Sequence, residues 1–565
     1  MKIRKGIPLL VIFLFGYLYP SVNTVDIPNI TKKIDRVFEK FNRFDSPGAA
    51  VLVQLHGRNI YKKCFGLANL EHHIPIEPES SFDLASVSKH LTSFAVLLLE
   101  KDGKLDLDDD IRRYLPELPD YNTKITIRHL LYQSSGLWEF WTILNKYSGF
   151  RDRDYFKMID VLNLLRHQGE LVFNPGTKYA YTNTNYSLLA EIIKRLTGVS
   201  FGEWTKKNLF DPLEMENTYF QEDCTIPIPK KATAYLKRDG RYVLARPSNV
   251  EIPGSAHAFT TLNDMAKWID NFRTGKLGGK TVLRKMFTRG TLDNGKEIAY
   301  AAGLIVGRHE GVEIIEHSGQ TGGYKTMLVY CPEKELGIVI LANERSINAY
   351  DLSHRILGIC LGNGDESKSI PDQSGDNKSI KLDASVLNNI LGGYRIEGTN
   401  ELLGLYRDGN FVFGSILGRG NKLLLPVSET RFVDYSGKFE IHFLTNESGQ
   451  VNQATMVLHG DTLVAHKTQL DTEISPKEFT GSYYCRELGS ICAVLEKNRE
   501  LILSPQRNND IKLYCLEPNS YVGAWGFMSF NRDGNGRVNG FTLKDELFGF
   551  KGLFYSKVRD ESEQL

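Results

Sequence analysis

Cysteine is scarce: seven residues in 565, an odd number with no C-x-x-C pair. That excludes a disulfide framework and the usual zinc-ribbon or dithiol redox motifs. Cys485 and Cys492 are spaced to face each other across a hairpin in an oxidising compartment, with buried free thiols as the equal alternative. Neither sign of charge is in excess, Lys+Arg being 69 and Asp+Glu 68. No overall field therefore draws in nucleic acid or an anionic membrane. Apolar runs long enough for a membrane span, roughly 20 residues, are also missing. The nearest is residues 7–20 (IPLLVIFLFGYLYP), preceded by Lys2, Arg4 and Lys5, which has the build of a signal-peptide core. The following SVNTVD lacks a clean A-x-A cleavage site, so an uncleaved anchor is the alternative. Residues 1–24 are read as a signal peptide or N-terminal anchor, and the protein as exported, periplasmic or extracellular.

Metal-ligand clusters are thin as well. Asn531-x-Asp533-x-Asn535-Gly536 imitates the start of a calcium loop, but its twelfth position is Thr542 where a bidentate Glu is required. A strand turn is the expectation there. His72 and His73 are adjacent and would point apart on a strand. No metal and no cofactor is expected.

What is present is length and ordinary globular composition, 41% hydrophobic and 24% charged. Such a length exceeds what one hydrophobic core supports and calls for two or three domains. Residues 25–362 read as mixed α and β. Residues 49–55 (AAVLVQL) form a strand-like run, and 327–330 and 337–341 look like neighbouring strands joined by a turn. Residues 91–99 (LTSFAVLLL) are too densely apolar for a surface helix and suit a buried one. Residues 186–197 have helical spacing and stop at Gly198. Residues 363–381 are polar and read as a linker.

Beyond the linker the pattern changes to short alternating strands with Gly and Asn turns. Gly392-Gly393-Tyr394 recurs as Gly481-Ser482-Tyr483, 89 positions on, and Phe443 with Gly449-x-Val451-Asn452 recurs as Phe530 with Gly536-x-Val538-Asn539, 87 on. The near-constant offset predicts a duplication: two antiparallel β-barrel-like domains, 382–470 and 471–565, each of a size that suits about eight short strands.

Ser86-Val87-Ser88-Lys89 is an S-x-x-K at the start of the buried helix. Its i, i+3 spacing stacks both side chains on one helical face. A serine hydroxyl needs a base, and a lysine serves if burial lowers its pKa; free N–H groups at the helix start suit an oxyanion. The bland alternative is a serine cap with a solvated lysine. Tyr181-Thr182-Asn183 lies on a turn: Tyr181 could relay a proton and Asn183 could bond both Lys89 and a substrate carbonyl, or Tyr181 packs and Asn183 caps the next helix. His317-Ser318-Gly319 sits beside a strand, where Gly319 would let an extended substrate approach the backbone and Gln320 would offer an N–H.

S-x-x-K, Y-x-N and H-x-G in this order resemble the serine β-lactamase and penicillin-binding superfamily, for which related motif sets are known. Residues 104–116, 125–137, 173–176 and 260–268 fit the same pattern, so the resemblance covers about residues 30–360. Y-x-N looks closest to the class C branch. His317 in place of the lysine of K-T-G, with two C-terminal β-domains, resembles its D-aminopeptidases. The resemblance implies a β-lactamase-like transpeptidase fold, an antiparallel sheet flanked by helices. It implies Ser86 as nucleophile, Lys89 and Tyr181 sharing acid and base work, and Asn183 orienting Lys89 and the acyl group. His317 stands in for the K-T-G lysine, and the N–H groups of Ser86 and Gln320 form the oxyanion hole. That lysine grips a carboxylate, and histidine is a weaker, pH-dependent cation. The expected activity is thus a D-aminopeptidase-type peptidase or amidase, or an esterase. A β-lactamase or DD-carboxypeptidase is the alternative, and a non-catalytic binding protein the reading from another class. The expected partner is a small peptide, amide or ester, without nucleic acid, and with the membrane only through the N-terminal segment. Residues 519–525 (NSYVGAW) are a candidate loop for reaching into the active site and limiting substrate size.

Overall fold

A computed structural model describes residues 26–148, 154–245, 249–362, 382–399, 401–408, 411–416, 420–434, 439–458, 461–468, 476–506, 509–545 and 550–558. The expected signal or anchor segment and the linker 363–381 lie outside the described residues. At the centre is a six-stranded sheet, antiparallel throughout: β1 (Ala49–Leu55), β2 (Arg58–Phe65), β3 (Ile305–His309), β4 (Val312–Thr321), β5 (Tyr324–Cys331) and β6 (Leu336–Ala342), in the order β3-β4-β5-β6-β1-β2. Successive side chains leave opposite faces of a strand. Ala49, Val51, Val53, Ile338 and Ile340 face two helices from the ends of this region, Ile27–Phe38 and Ala349–Leu361. Ala50, Leu52, Val339 and Leu341 join a larger core under the remaining helices. With both faces covered there is no polar alternate, which is why 49–55 and 337–341 read as unbroken apolar runs.

The buried helix runs Ser88–Lys101, enclosed on every side through Leu97. The helix Asn183–Thr197 ends where Gly198 turns left-handed, at φ 76°, as a C-terminal glycine should.

After the linker come two closed eight-stranded antiparallel barrels, from Gly392–Ile396 to Asp461–Lys467 and from Gly481–Cys485 to Phe550–Lys557. The repeat seen in sequence is a repeated buried device. In the first strand of each barrel, a tyrosine phenol donates to the carbonyl four residues back, Tyr394 to Ile390 at 2.8 Å and Tyr483 to Phe479 at 2.6 Å. Each ring meets a phenylalanine of the sixth strand, Phe443 at 6.1 Å and Phe530 at 6.0 Å. Each also lies under a lysine of the eighth, Lys467 at 5.8 Å and Lys557 at 5.9 Å. A buried phenol needs a partner for its hydroxyl, and both copies meet that need identically.

Cys485 and Cys492 lie on paired strands, opposite Ser490 and Tyr483, and are buried free thiols. The calcium-like sequence is a turn between strands Gly526–Arg532 and Val538–Asp545, with Asp533 Oδ1 accepting the N–H groups of Asn535 and Arg537 at 2.9 and 3.0 Å. Residues 519–525 correct an expectation. Trp525 is buried against Tyr147 of the helix Phe140–Tyr147, so the contact made is with that helix and not with Ser86, Lys89 or Tyr181.

Candidate active site

Ser86 sits in a single 3-10 turn, Ala85–Val87, and the α-helix proper begins at Ser88. The turn is strained, with Ala85 at φ 50°, where a Cβ costs roughly 1–2 kcal/mol. Several buried groups hold it. Asp83 Oδ1 accepts the Ala85 N–H at 2.7 Å, and its Oδ2 lies 3.0 Å from His257 Nδ1. Thr326 Oγ1 donates to the Leu84 carbonyl at 2.7 Å. Gly319 completes the cradle: a Cβ there would lie 2.3 Å from the Leu84 carbonyl oxygen and 2.3 Å from Thr326 Oγ1. Gly319 was expected to make room for substrate. It makes room for the protein's own nucleophile turn.

Lys89, one turn on, is fully buried. Its Nζ lies 3.3 Å from Ser86 Oγ, 2.8 Å from Asn183 Oδ1 and 2.7 Å from the Ser255 carbonyl. Burial pushes its pKa down to about 7, opposed by the Glu139 carboxylate. Near neutrality the amine is therefore half free base. Asn183 Oδ1 and the Ser255 oxygen can only accept. They take two N–H bonds of the neutral amine and turn its lone pair to Ser86.

Tyr181 stands over Lys89, with Nζ 4.9 Å from the ring centre. Enclosure raises its phenol pKa, a hydrogen bond with Ser86 opposes the rise, and the part of the ring open to solvent softens it. The phenol stays protonated where Lys89 is half neutral. Thr182, not Asn183, caps the following helix, its hydroxyl accepting from Thr184 N at 3.2 Å. Asn183 is thereby free to face Lys89. Its amide is unambiguous, since Oδ1 meets a donor and Nδ2 donates to Glu139 Oε1 at 3.0 Å.

His317 is buried between Tyr181 and Tyr300, with ring centres 6.2 and 6.1 Å away. Burial, then the nearby Lys89 charge, depresses its pKa to about 4, against a hydrogen bond to Ser318 that favours the cation. The expected pH-dependent cation is thus a neutral ring. Nδ1 lies 2.7 Å from the Ser318 carbonyl, so Nδ1 carries the proton and Nε2 is a bare acceptor. Nε2 is buried and finds no partner among the described residues. Gln320 lies on β4 beyond Glu316, its last residue paired with β3. The edge 317–321 is therefore free of a β3 partner and runs beside the Ser86 turn. The Gln320 side chain is engaged elsewhere, by Lys325 Nζ. Past Tyr300 opens a cavity of about 620 Å³, lined by Tyr179, Ile298 and Ile305 together with Lys178 and Lys296.

Sequence reasoning missed two groups. The Ser255 carbonyl carries no side-chain signal, and it is aimed by Gly254, left-handed at φ 95°, whose own oxygen is held by Thr92 Oγ1 at 2.8 Å. Glu139 precedes an apolar helix and could be read as no more than its cap.

A buried lysine of lowered pKa beside a serine on a strained turn, with a tyrosine against both and an asparagine bonded to the lysine, is the site of a serine hydrolase. The chain belongs to the beta-lactamase family, whose profile matches residues 34–360. Penicillin-binding protein 4* of Bacillus subtilis (strain 168) is 26% identical over 445 residues, covering 74% of this chain and 95% of that protein. A D-aminopeptidase of Gluconobacter oxydans (strain 621H) is 28% identical over 328 residues, 57% of this chain and 60% of that one. Among solved structures, the octameric penicillin-binding protein homologue from Pyrococcus abyssi superposes with a TM-score of 0.54 at 23% identity, over 78% of this chain and all of that one. It shares the fold.

Proposed function

We propose that the protein hydrolyses amides or esters through an acyl-enzyme on Ser86, with small D-aminoacyl peptides or amides as the preferred class. The observation that carries this reading is the desolvated Lys89 amine, whose Nζ lies 3.3 Å from Ser86 Oγ with Asn183 Oδ1 and the Ser255 carbonyl as its other partners, so that the neutral form has its lone pair for Ser86. Ser86 Oγ attacks the substrate carbonyl while its proton passes to Lys89 Nζ. The N–H groups of Ser86 and Gln320 receive the oxyanion. Collapse breaks the bond to the amine or alcohol, which leaves with a proton delivered from Lys89 through the Tyr181 hydroxyl. Water then attacks the acyl-enzyme along the reverse proton path and releases the acid.

Substrate choice follows from His317. A neutral acceptor stands where a lysine would grip a carboxylate. It favours a group that donates a hydrogen bond, such as a free amino group, and leaves a carboxylate without a partner. The similarity to a D-aminopeptidase supports the same choice. In this reading the protein acts after export, and its partner is a small substrate. The test is a panel of D- and L-aminoacyl p-nitroanilides, p-nitrophenyl esters and nitrocefin on the wild type and Ser86→Ala. D-aminoacyl substrates should exceed nitrocefin in kcat/KM and vanish with Ser86. Faster nitrocefin turnover would make the protein a β-lactamase instead.

A further inference from the structure

A short helix of eight residues, Phe140–Tyr147, spans about 12 Å between the lysine's surroundings and the second barrel. So short a helix is marginal alone, and its last carbonyls have no partner within it. Here the second barrel provides partners for the last of them. The Tyr147 carbonyl accepts the hydroxyls of Ser490 and Tyr555, each at 3.2 Å, and the Tyr147 phenol donates to the Trp525 carbonyl at 3.0 Å. The Tyr147 and Trp525 rings cross edge to face, 5.5 Å apart. All four residues are buried, so the contact is dry and specific.

At the other end the helix is capped by Glu139. One carboxylate oxygen accepts the Thr142 N–H at 2.7 Å, and the other accepts Asn183 Nδ2 at 3.0 Å. Asn183 Oδ1 in turn meets Lys89 Nζ at 2.8 Å. A second tie runs from the Phe140 N–H to Thr184 Oγ1 at 3.0 Å.

We propose that the second barrel tunes the active site by holding this helix, with Glu139 as the positioning residue that fixes Asn183 and presents its charge to Lys89. The proposal rests on the reading of Lys89 as the base for Ser86. Nothing in it requires a barrel loop to enter the site; the barrel grips one end of a rod whose other end is the Glu139 cap. The carboxylate favours the charged lysine, so its loss, or its displacement when the barrel lets go, should make the free amine available at lower pH.

The rate at which a fluorophosphonate labels Ser86, followed against pH in the full-length protein, reads this without any assumption about substrate. In Glu139→Gln the acid limb should move to lower pH by about one unit. Ser490→Ala with Tyr555→Phe should move it the same way by less, and add nothing further in the Glu139→Gln background. Tyr147→Phe, which keeps the two bonds to the residue-147 carbonyl and loses the phenol's bond to Trp525, gives a gentler variant should the double substitution fail to fold, and should shift in the same sense. A limb that stays put in Glu139→Gln, or barrel and Glu139 effects that add, would overturn the proposal alone. A wild type whose Ser86 is never labelled would overturn the hydrolase reading and this proposal with it.

Discussion

Lys89→Arg is expected to lower kcat/KM on an activated ester by about 10³–10⁴-fold, the contribution of a positioned general base. Arginine keeps the charge but does not lose it near neutrality. Its planar fork cannot bond both Asn183 Oδ1 and the Ser255 oxygen while presenting a lone pair to Ser86. Lys89→Met, which keeps the bulk and drops the titrating group, should fall as far. In the wild type, activity needs the neutral amine, so kcat/KM should rise with pH through about 7, the depressed Lys89 value, and be lost below it. The buried His317 stays neutral down to about pH 4 and should leave no inflection near the usual histidine range. Wild-type activity in Lys89→Arg would move the base to another group, Tyr181 first.

Gly319→Ala should cost roughly 1–3 kcal/mol of stability or more, read as a lower midpoint in denaturant. The added methyl would meet the Leu84 carbonyl and Thr326 Oγ1, both at 2.3 Å. Neither can yield without disturbing the turn that carries Ser86, because Leu84 is bonded to Thr326 and Ala85 is pinned by Asp83. A displacement of about 1 Å at the nucleophile costs on the order of 100-fold in rate, so kcat should fall far more than stability alone explains. A Gly319→Ala protein with unchanged kcat would show that the strand does not set the nucleophile's position.

Much of this was legible in the sequence, for physical reasons that differ from place to place. The apolar runs at 49–55 and 337–341 announced strands because a sheet covered on both faces leaves no polar alternate. The barrels were legible through duplication: Tyr394 and Tyr483 repeat because each barrel needs the same buried phenol bonded to the same carbonyl. Ser86, Lys89 and Asn183 were found by spacing and order, and the structure brings Lys89 within hydrogen-bonding reach of the other two. Spacing says nothing of burial, however. His317 read as a weak cation, since only the fold shows that it is enclosed and next to Lys89. Gly319 read as an opening for substrate, since the carbonyl that fills its Cβ position belongs to Leu84, 235 positions earlier in the chain. Glu139 and the Ser255 carbonyl left no signal, because each acts through a bond to a residue distant in sequence. The grip of Ser490, Trp525 and Tyr555 on Tyr147 is hidden for the same reason.

The central claim is that Ser86 is the acylated nucleophile. It is tested most directly by incubating the wild type and Ser86→Ala with a fluorophosphonate and reading the intact mass and the modified peptide. One adduct per chain, on Ser86, absent from Ser86→Ala, is the predicted result. An adduct of equal stoichiometry in Ser86→Ala, or one mapped to another residue in the wild type, would contradict it.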